Sequence, residues 1–147
     1  MSEITHEYAE SFFNALSSRE AARIAPFIAD DADWLIVGPI ELFPYCGQHF
    51  GKQAVLEAYG RMAERNTTAR YARDFLMTDG ESASALTRLT DVQRATGRQM
   101  MIRLAQFARF HDGKVVEFCS ITDTLGVAEQ AVGHPLISAA DAPALAE

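Results

Sequence analysis

The sequence predicts an α+β domain in which a curved antiparallel sheet wraps around N-terminal helices and forms a cone. Three observations lead to this fold class. Apolar side chains recur at helical spacing over much of residues 1–65. Four runs with strand-like alternation follow within residues 69–124, and two Asp-Gly pairs, at 79–80 and 112–113, mark tight hairpin turns between them. Helices that precede such strands pack on one face of the sheet.

The N-terminal part of the chain predicts two helices and one strand. Residues 4–16 carry aromatic and leucine side chains at helical spacing and predict an amphipathic helix. Ser17 and Glu20 have the spacing of a capping box, which predicts that a second helix opens there and continues to the acidic pair before the strand. Residues 32–37 then alternate as a strand, with Trp34 on its buried face.

The remaining elements follow from the same patterns. An unusually apolar loop at residues 38–51 is expected to fold over an internal cavity, and residues 52–65 predict a third helix. The later segments predict strands at 69–78, 82–93, 99–110 and 114–124 in a meander, then a short helix at 125–132. We expect one domain over residues 1–135 and a flexible C-terminal tail over residues 136–147.

Composition excludes several function classes. The chain of 147 residues has 13 Lys and Arg against 20 Asp and Glu and a net charge of −7, so we expect no nucleic-acid partner. It has no apolar segment typical of a signal peptide or a membrane span, which predicts a cytoplasmic protein without membrane contact. Cys46 and Cys119 are expected to be free thiols, and the scattered histidines predict neither a metal site nor a cofactor.

Four segments resemble the nuclear transport factor 2-like superfamily, specifically its SnoaL-like and ketosteroid isomerase-related branch. They are ADDADW at 29–34, FPYCGQHFGKQAV at 43–55, ATGR at 95–98, and FHDGKVVEF at 110–118 followed by DT at 123–124. The resemblance implies a cone-shaped, cystatin-like α+β barrel with a deep apolar pocket, usually in a homodimer. It leaves the reaction open, because this scaffold hosts isomerases, cyclases, epoxide hydrolases, dehydratases and non-enzymes.

The positions at which ketosteroid isomerases do chemistry are altered in this chain. By the resemblance, Ile36 stands at the position of the carboxylate base, Phe12 at that of the tyrosine, and Gln106 at that of the oxyanion-binding aspartate. An isoleucine cannot take a proton, so we do not expect this chemistry in its usual form. The Gln106 amide can still donate a hydrogen bond to a carbonyl oxygen.

The resemblance to limonene epoxide hydrolase is also incomplete. Arg88 stands at the position of its arginine, whereas Thr90 and Ser120 stand at the positions of its two aspartates. SnoaL-type cyclases use an aspartate late in the sheet, where this chain has Asp123. Asp33 is a further candidate base. The candidate catalytic set is therefore Arg88, Gln106, Asp123 and Asp33.

Structural roles are open for the same residues. Asp123 precedes a short helix and fits an N-cap. Arg88 fits an ion pair with Asp33, Asp74 or Asp91.

Strand alternation and the loop predict which side chains line the cavity. The predicted ligand-binding residues are Phe12, Trp34, Ile36, Tyr45, Tyr59, Thr90, Ile102, Leu104, Phe118 and Ser120. This mainly apolar set favours a protein that binds a small apolar, oxygen-bearing molecule. Two alternatives stay open. One is an acid–base enzyme of isomerase, cyclase or epoxide hydrolase type with a non-standard acid/base set, and the other is a non-catalytic dimeric interaction module.

The other face of the predicted sheet combines apolar and charged side chains. It carries Met101 and Phe107 together with Arg103, Arg109 and Glu117. Such a mixture is typical of protein interfaces, so we expect a homodimer through this face.

Overall fold

Helices and strands follow one another nearly in the predicted order in a computed structural model, which describes residues 3–138 and 140–141. The predicted α+β class is confirmed. The elements are α1 (His6–Ser18), α2 (Ala21–Ile24), a 3-10 turn (Ala25–Phe27), β1 (Ile28–Ile36), β2 (Gly47–Phe50), α3 (Lys52–Arg65), β3 (Asn66–Asp79), β4 (Ser82–Gln93), β5 (Gln99–His111), β6 (Lys114–Ile121) and α4 (Thr124–Val132).

The six described strands form one curved sheet in the order β2-β1-β6-β5-β4-β3. Strands β3 to β6 form the predicted antiparallel meander. Strand β1 pairs in parallel with β6, so the sheet is mixed rather than purely antiparallel. It does not close into a barrel, because β2 and β3 are its two edges.

Both Asp-Gly segments form the predicted hairpin turns. Asp112 and Gly113 both have positive φ angles, 50° and 77°, as a two-residue type I′ turn requires. At the other hairpin, Gly80 (φ 60°) takes the first loop position between the paired residues Asp79 and Ser82. These turns fix the register of the meander and therefore decide which side chains share its concave face.

The predicted second helix is much shorter than expected. The Ser17 hydroxyl donates to the Asn14 carbonyl, 2.9 Å away, so the predicted capping box with Glu20 does not form. Arg19 instead adopts a left-handed conformation (φ 57°) and ends α1. The chain then makes only α2 and the 3-10 turn before Ile28 begins β1. Strand β2 was not predicted, because it is an edge strand of four residues that begins with one glycine and is followed by another.

Aromatic side chains fill the narrow end of the cone. Trp34 of β1 stacks on Phe118 of β6 with ring centroids 4.1 Å apart. Phe12 of α1 meets both rings edge-on and is fully buried. This packing holds α1 against the sheet and leaves the wide end of the cone for a cavity.

Helix α4 covers the part of β5 that β6 does not reach. The Met101 backbone N–H donates to the Gln130 side chain (2.7 Å), whose amide donates back to the Met101 carbonyl (3.0 Å). The Gln130 side chain therefore makes the two backbone hydrogen bonds that a neighbouring strand would otherwise make with Met101. Of the predicted tail, residues 139 and 142–147 lie outside the described residues. None of the described helices has the length and apolarity that a membrane crossing requires.

Candidate functional site

The concave face of the sheet, together with helices α1, α3 and α4, surrounds a partly enclosed cavity of about 110 Å³. Most of its wall is apolar and comes from every layer of the fold; it includes Ile36, Tyr59, Leu89, Ile102, Leu104 and Val127. A wider hollow of about 510 Å³ beside Met77, Phe107 and Arg109 lies on the solvent side of the sheet. This cavity is the better candidate site, because it is more enclosed than the outer hollow and polar interactions are stronger where less water is present.

Two polar side chains form one end of this cavity, next to the aromatic core. Gln106 of β5 and Ser120 of β6 face each other in the sheet register. Both are buried, at 9% and 5% exposure, and both lie in the cavity wall. Each carries a donor and an acceptor, so this end can bind a carbonyl or a hydroxyl oxygen.

A buried ion pair forms the opposite end of the cavity. Arg19 Nη2 lies 2.6 Å from Asp91 Oδ2, and the two side chains are 13% and 3% exposed. The Thr68 hydroxyl donates to Asp91 Oδ1 at 3.1 Å. A charge this deeply buried requires a partner, and Arg19 supplies one because the left-handed end of α1 points its side chain toward β4.

Two polar atoms in the cavity wall have no hydrogen-bond partner among the described residues. They are Arg19 Nη1 and Thr87 Oγ1, and both are shielded from solvent. A buried donor without a partner costs free energy of about 1–3 kcal/mol. Such atoms mark the places where a bound molecule or water would make hydrogen bonds.

The loop after β1 contributes Tyr45 and Cys46 to the wall. Burial raises the pKa of Tyr45 to about 12, although a hydrogen bond from Asn66 Nδ2 (3.4 Å) acts in the opposite direction. Burial also raises the pKa of Cys46 to about 11 and that of Tyr59 above its usual value. At neutral pH the two tyrosines and Cys46 are therefore protonated and uncharged, and Cys46 is a poor nucleophile.

The structure brings part of the predicted ligand-binding set together. Seven predicted site residues line the cavity: Ile36, Tyr45, Tyr59, Ile102, Leu104, Gln106 and Ser120. Three others lie in the packed aromatic core beside it: Phe12, Trp34 and Phe118. These three lie on the predicted face of the sheet, but they pack against one another.

Arg88 and Thr90 lie on the opposite face of the sheet, which corrects the predicted placement in the cavity. The inward residues of β4 are the odd-numbered ones, such as Thr87 and Asp91, since Ala85 pairs with the inward Gln106. The exposed Arg88 guanidinium forms a two-pronged ion pair with Asp74 at 2.9 Å. Its hydrogen bonds hold the pKa of Asp74 below its usual value and raise that of Arg88.

The two other predicted carboxylates also lie away from the cavity. Asp33 is exposed on β1 and accepts a hydrogen bond from Gln48 of β2. Asp123 is the N-cap of α4 and accepts from the Gly126 backbone N–H at 2.9 Å. The carboxylate in the wall is instead Asp91, which the sequence interpretation named only as a partner for Arg88. Within residues 3–138 and 140–141, no three His, Cys, Asp or Glu side chains cluster in a way that could hold a metal ion.

Known proteins provide an independent comparison. The model of the SnoaL-like domain family matches residues 9–118. A proposed isomerase from Rhodopseudomonas palustris is 32% identical with a TM-score of 0.79, over 89% of this chain and 98% of that one. No protein of curated function matches significantly.

More distant solved structures share the fold alone. An NTF2-like protein from Burkholderia xenovorans is 20% identical with a TM-score of 0.70, over 85% of this chain and 93% of that one. IdmH, a proposed polyketide cyclase from Streptomyces antibioticus, is 15% identical with a TM-score of 0.66, over 86% and 96%. Both agree with the cone-like fold described above. The domain match and the Rhodopseudomonas relative together show that this chain belongs to the SnoaL-like domain family.

Proposed function

We propose that this SnoaL-like protein binds a small, mainly apolar, oxygen-bearing molecule in its enclosed cavity. The apolar wall would exclude water from such a molecule, and burial of its hydrocarbon would stabilise the complex. One observation carries the proposal. Arg19 Nη1 and Thr87 Oγ1 lie in this wall without partners among the described residues, and oxygen atoms of a ligand would satisfy them.

Titration calorimetry with 1-octanol, a neutral alcohol with one oxygen, tests this proposal. We expect saturable binding with one site per chain. Ile102→Trp would fill the cavity and abolish binding, whereas Ile121→Trp, on a residue that is 46% exposed, would leave it intact. Equal binding by both variants, or no binding by the unaltered protein, would contradict the proposal.

General acid–base catalysis is a second candidate, and the buried Asp91 favours it. Asp91 is a carboxylate in the cavity wall, hydrogen-bonded by Arg19 and Thr68. If it removed a proton next to a ligand carbonyl, the neighbouring Arg19 would stabilise the negative charge that develops on the carbonyl oxygen. Return of the proton from the Asp91 carboxyl group to carbon would complete an isomerisation or exchange.

Proton exchange at the α-carbon of cyclohexanone in D₂O, followed by NMR, tests this second candidate. We expect the protein to accelerate exchange and Asp91→Asn to remove the acceleration. Asp33→Asn and Asp123→Asn serve as matched controls and should retain it, because both carboxylates lie outside the cavity wall. Exchange at the uncatalysed rate with the unaltered protein would eliminate Asp91 as a base toward simple ketones.

The outer face of the sheet supports a third proposal, a homodimer. Met101 and Phe107 are 72% and 50% exposed on this face. Beside them, Arg109 pairs with Glu117 at 3.1 Å, so the face presents charges of both signs. A second copy of the chain could therefore meet it with opposite charges and cover the apolar side chains.

A further inference from the structure

We propose that the preferred ligand is a slender, uncharged molecule with a hydroxyl or carbonyl oxygen at each end. This inference rests on the proposed binding function and specifies its ligand class. It follows from three features of the cavity: the separation of its two polar ends, the narrow apolar passage between them, and the charge balance at the ion pair.

The sheet register fixes the separation of the polar ends. Gln106 lies opposite Ala85 on β4, and Asp91 lies six residues further along the same strand without a bulge between β4 and β5. At about 3.3 Å per residue, these backbone positions are about 20 Å apart along the strand. Even after the side chains reach inward, no single oxygen atom can contact both ends.

The passage between the two ends is apolar and narrow. Leu89, Ile102 and Leu104 form its wall, with Thr87 as one hydroxyl on the way. A volume of about 110 Å³ is small for this length, so only a thin ligand can extend from one end to the other. The apolar wall favours hydrocarbon between the two oxygens.

Charge balance at the ion pair favours an uncharged oxygen. The Arg19 charge already balances that of Asp91, so a ligand carboxylate would leave a second buried negative charge without a partner. A hydroxyl can instead accept from Arg19 Nη1 and donate to the Asp91 carboxylate. At the other end, the Gln106 amide and the Ser120 hydroxyl can bind a hydroxyl or a carbonyl equally well.

Calorimetry with linear alcohols tests this inference directly. The probes are 1-alkanols and α,ω-alkanediols of six to twelve carbons, with the ω-hydroxy acids as charged analogues. A second hydroxyl weakens binding to a purely apolar cavity, because it must lose its water. Here we expect the diol of optimal length to bind at least about tenfold more tightly than the matching alkanol, and the hydroxy acid to bind more weakly than the diol.

Variants test whether this preference depends on the end of the cavity that Gln106 and Ser120 form. In Gln106→Leu, the diol should bind no more tightly than the matching alkanol. Ser120→Ala is the alternative variant if Gln106→Leu does not fold, and it should reduce the advantage of the diol. Gln99→Leu, an exposed glutamine on the same strand, is the control and should leave this advantage unchanged. Diols that bind more weakly than alkanols at every length, or an advantage that persists in Gln106→Leu, would overturn the inference and leave the binding function intact. Absence of binding by every probe would overturn both.

Discussion

Arg19 shows how one backbone conformation brings a charge into the cavity. Its left-handed φ of 57° ends α1 and points the side chain at Asp91 of β4, 72 positions along the chain. Such a conformation is uncommon for a residue other than glycine, asparagine or aspartate. No local pattern in the sequence indicates this long-range pair, which explains why the residues of the ion pair were absent from the predicted site.

Removal of one partner of this ion pair should destabilise the fold. Among the described residues, Arg19→Met leaves the buried Asp91 with only the Thr68 hydroxyl as a partner, and we expect a loss of about 3 kcal/mol in the free energy of unfolding. The double variant Arg19→Met/Asp91→Leu should lose less than Arg19→Met alone, because no buried charge is left. Urea denaturation of the full double-mutant cycle measures this coupling, and additive losses would show that the two side chains do not interact.

The Cys46 thiol gives a pH-dependent probe of the cavity wall. Burial raises its pKa to about 11, so the reactive thiolate is a minor species below that pH. In a Cys119→Ser background, the rate of alkylation by iodoacetamide should rise about tenfold per pH unit from pH 7 to 9. A rate that levels off near pH 9 would contradict this burial. Saturation with a ligand should slow the reaction at every pH.

At the scale of elements, the strands and turns of the meander are the most predictable part. Strand β4 and helix α3 have the predicted bounds, because alternation, helical spacing and the adjoining glycines agree there. Which side chains of β4 point to the concave face of the sheet was not predictable in the same way. Its inward set includes Thr87 and Asp91 and its outward set includes Leu86 and Arg88, so neither face is clearly apolar.

Asp123 acts on an element rather than in the cavity, and substitution should show this. Asp123→Ala removes the N-cap of α4 and should cost about 1 kcal/mol of unfolding free energy. Asp123→Asn retains a good capping side chain and should be nearly neutral. Thermal unfolding of both variants checks the difference. Equal losses would indicate that the carboxylate has a role besides capping.

At the scale of the whole molecule, the outer face of the sheet decides the oligomeric state that we propose. Phe107→Lys should weaken the dimer by about tenfold or more, because it places two like charges in the interface. Ile40→Lys, on a residue that is 56% exposed in the loop between β1 and β2, is the matched control and should leave the dimer intact. Sedimentation equilibrium at micromolar concentration measures both. A monomer for the unaltered protein would refute this proposal.

The whole-molecule fold could be predicted, whereas half of the site could not. The cone, the meander and the inward residues of β5 and β6 follow from periodicity and from the resemblance to known families. The polar end with Gln106 was therefore predicted, since β5 alternates clearly between its two faces. The end with Arg19 and Asp91 depends on tertiary contact between α1 and β4, which no pattern within either segment encodes.

Methyl NMR of the protein during titration with 1-octanol is the most direct test of the central claim, which is that the enclosed cavity binds a ligand. The methyl groups of Ile36, Leu89 and Ile102 line this cavity, whereas that of Ile121 lies on the exposed side. We predict saturable shifts of the three cavity residues, with intermolecular contacts to octanol, and no change at Ile121. Shifts confined to Ile121 and its neighbours, or no shifts at all, would contradict the claim.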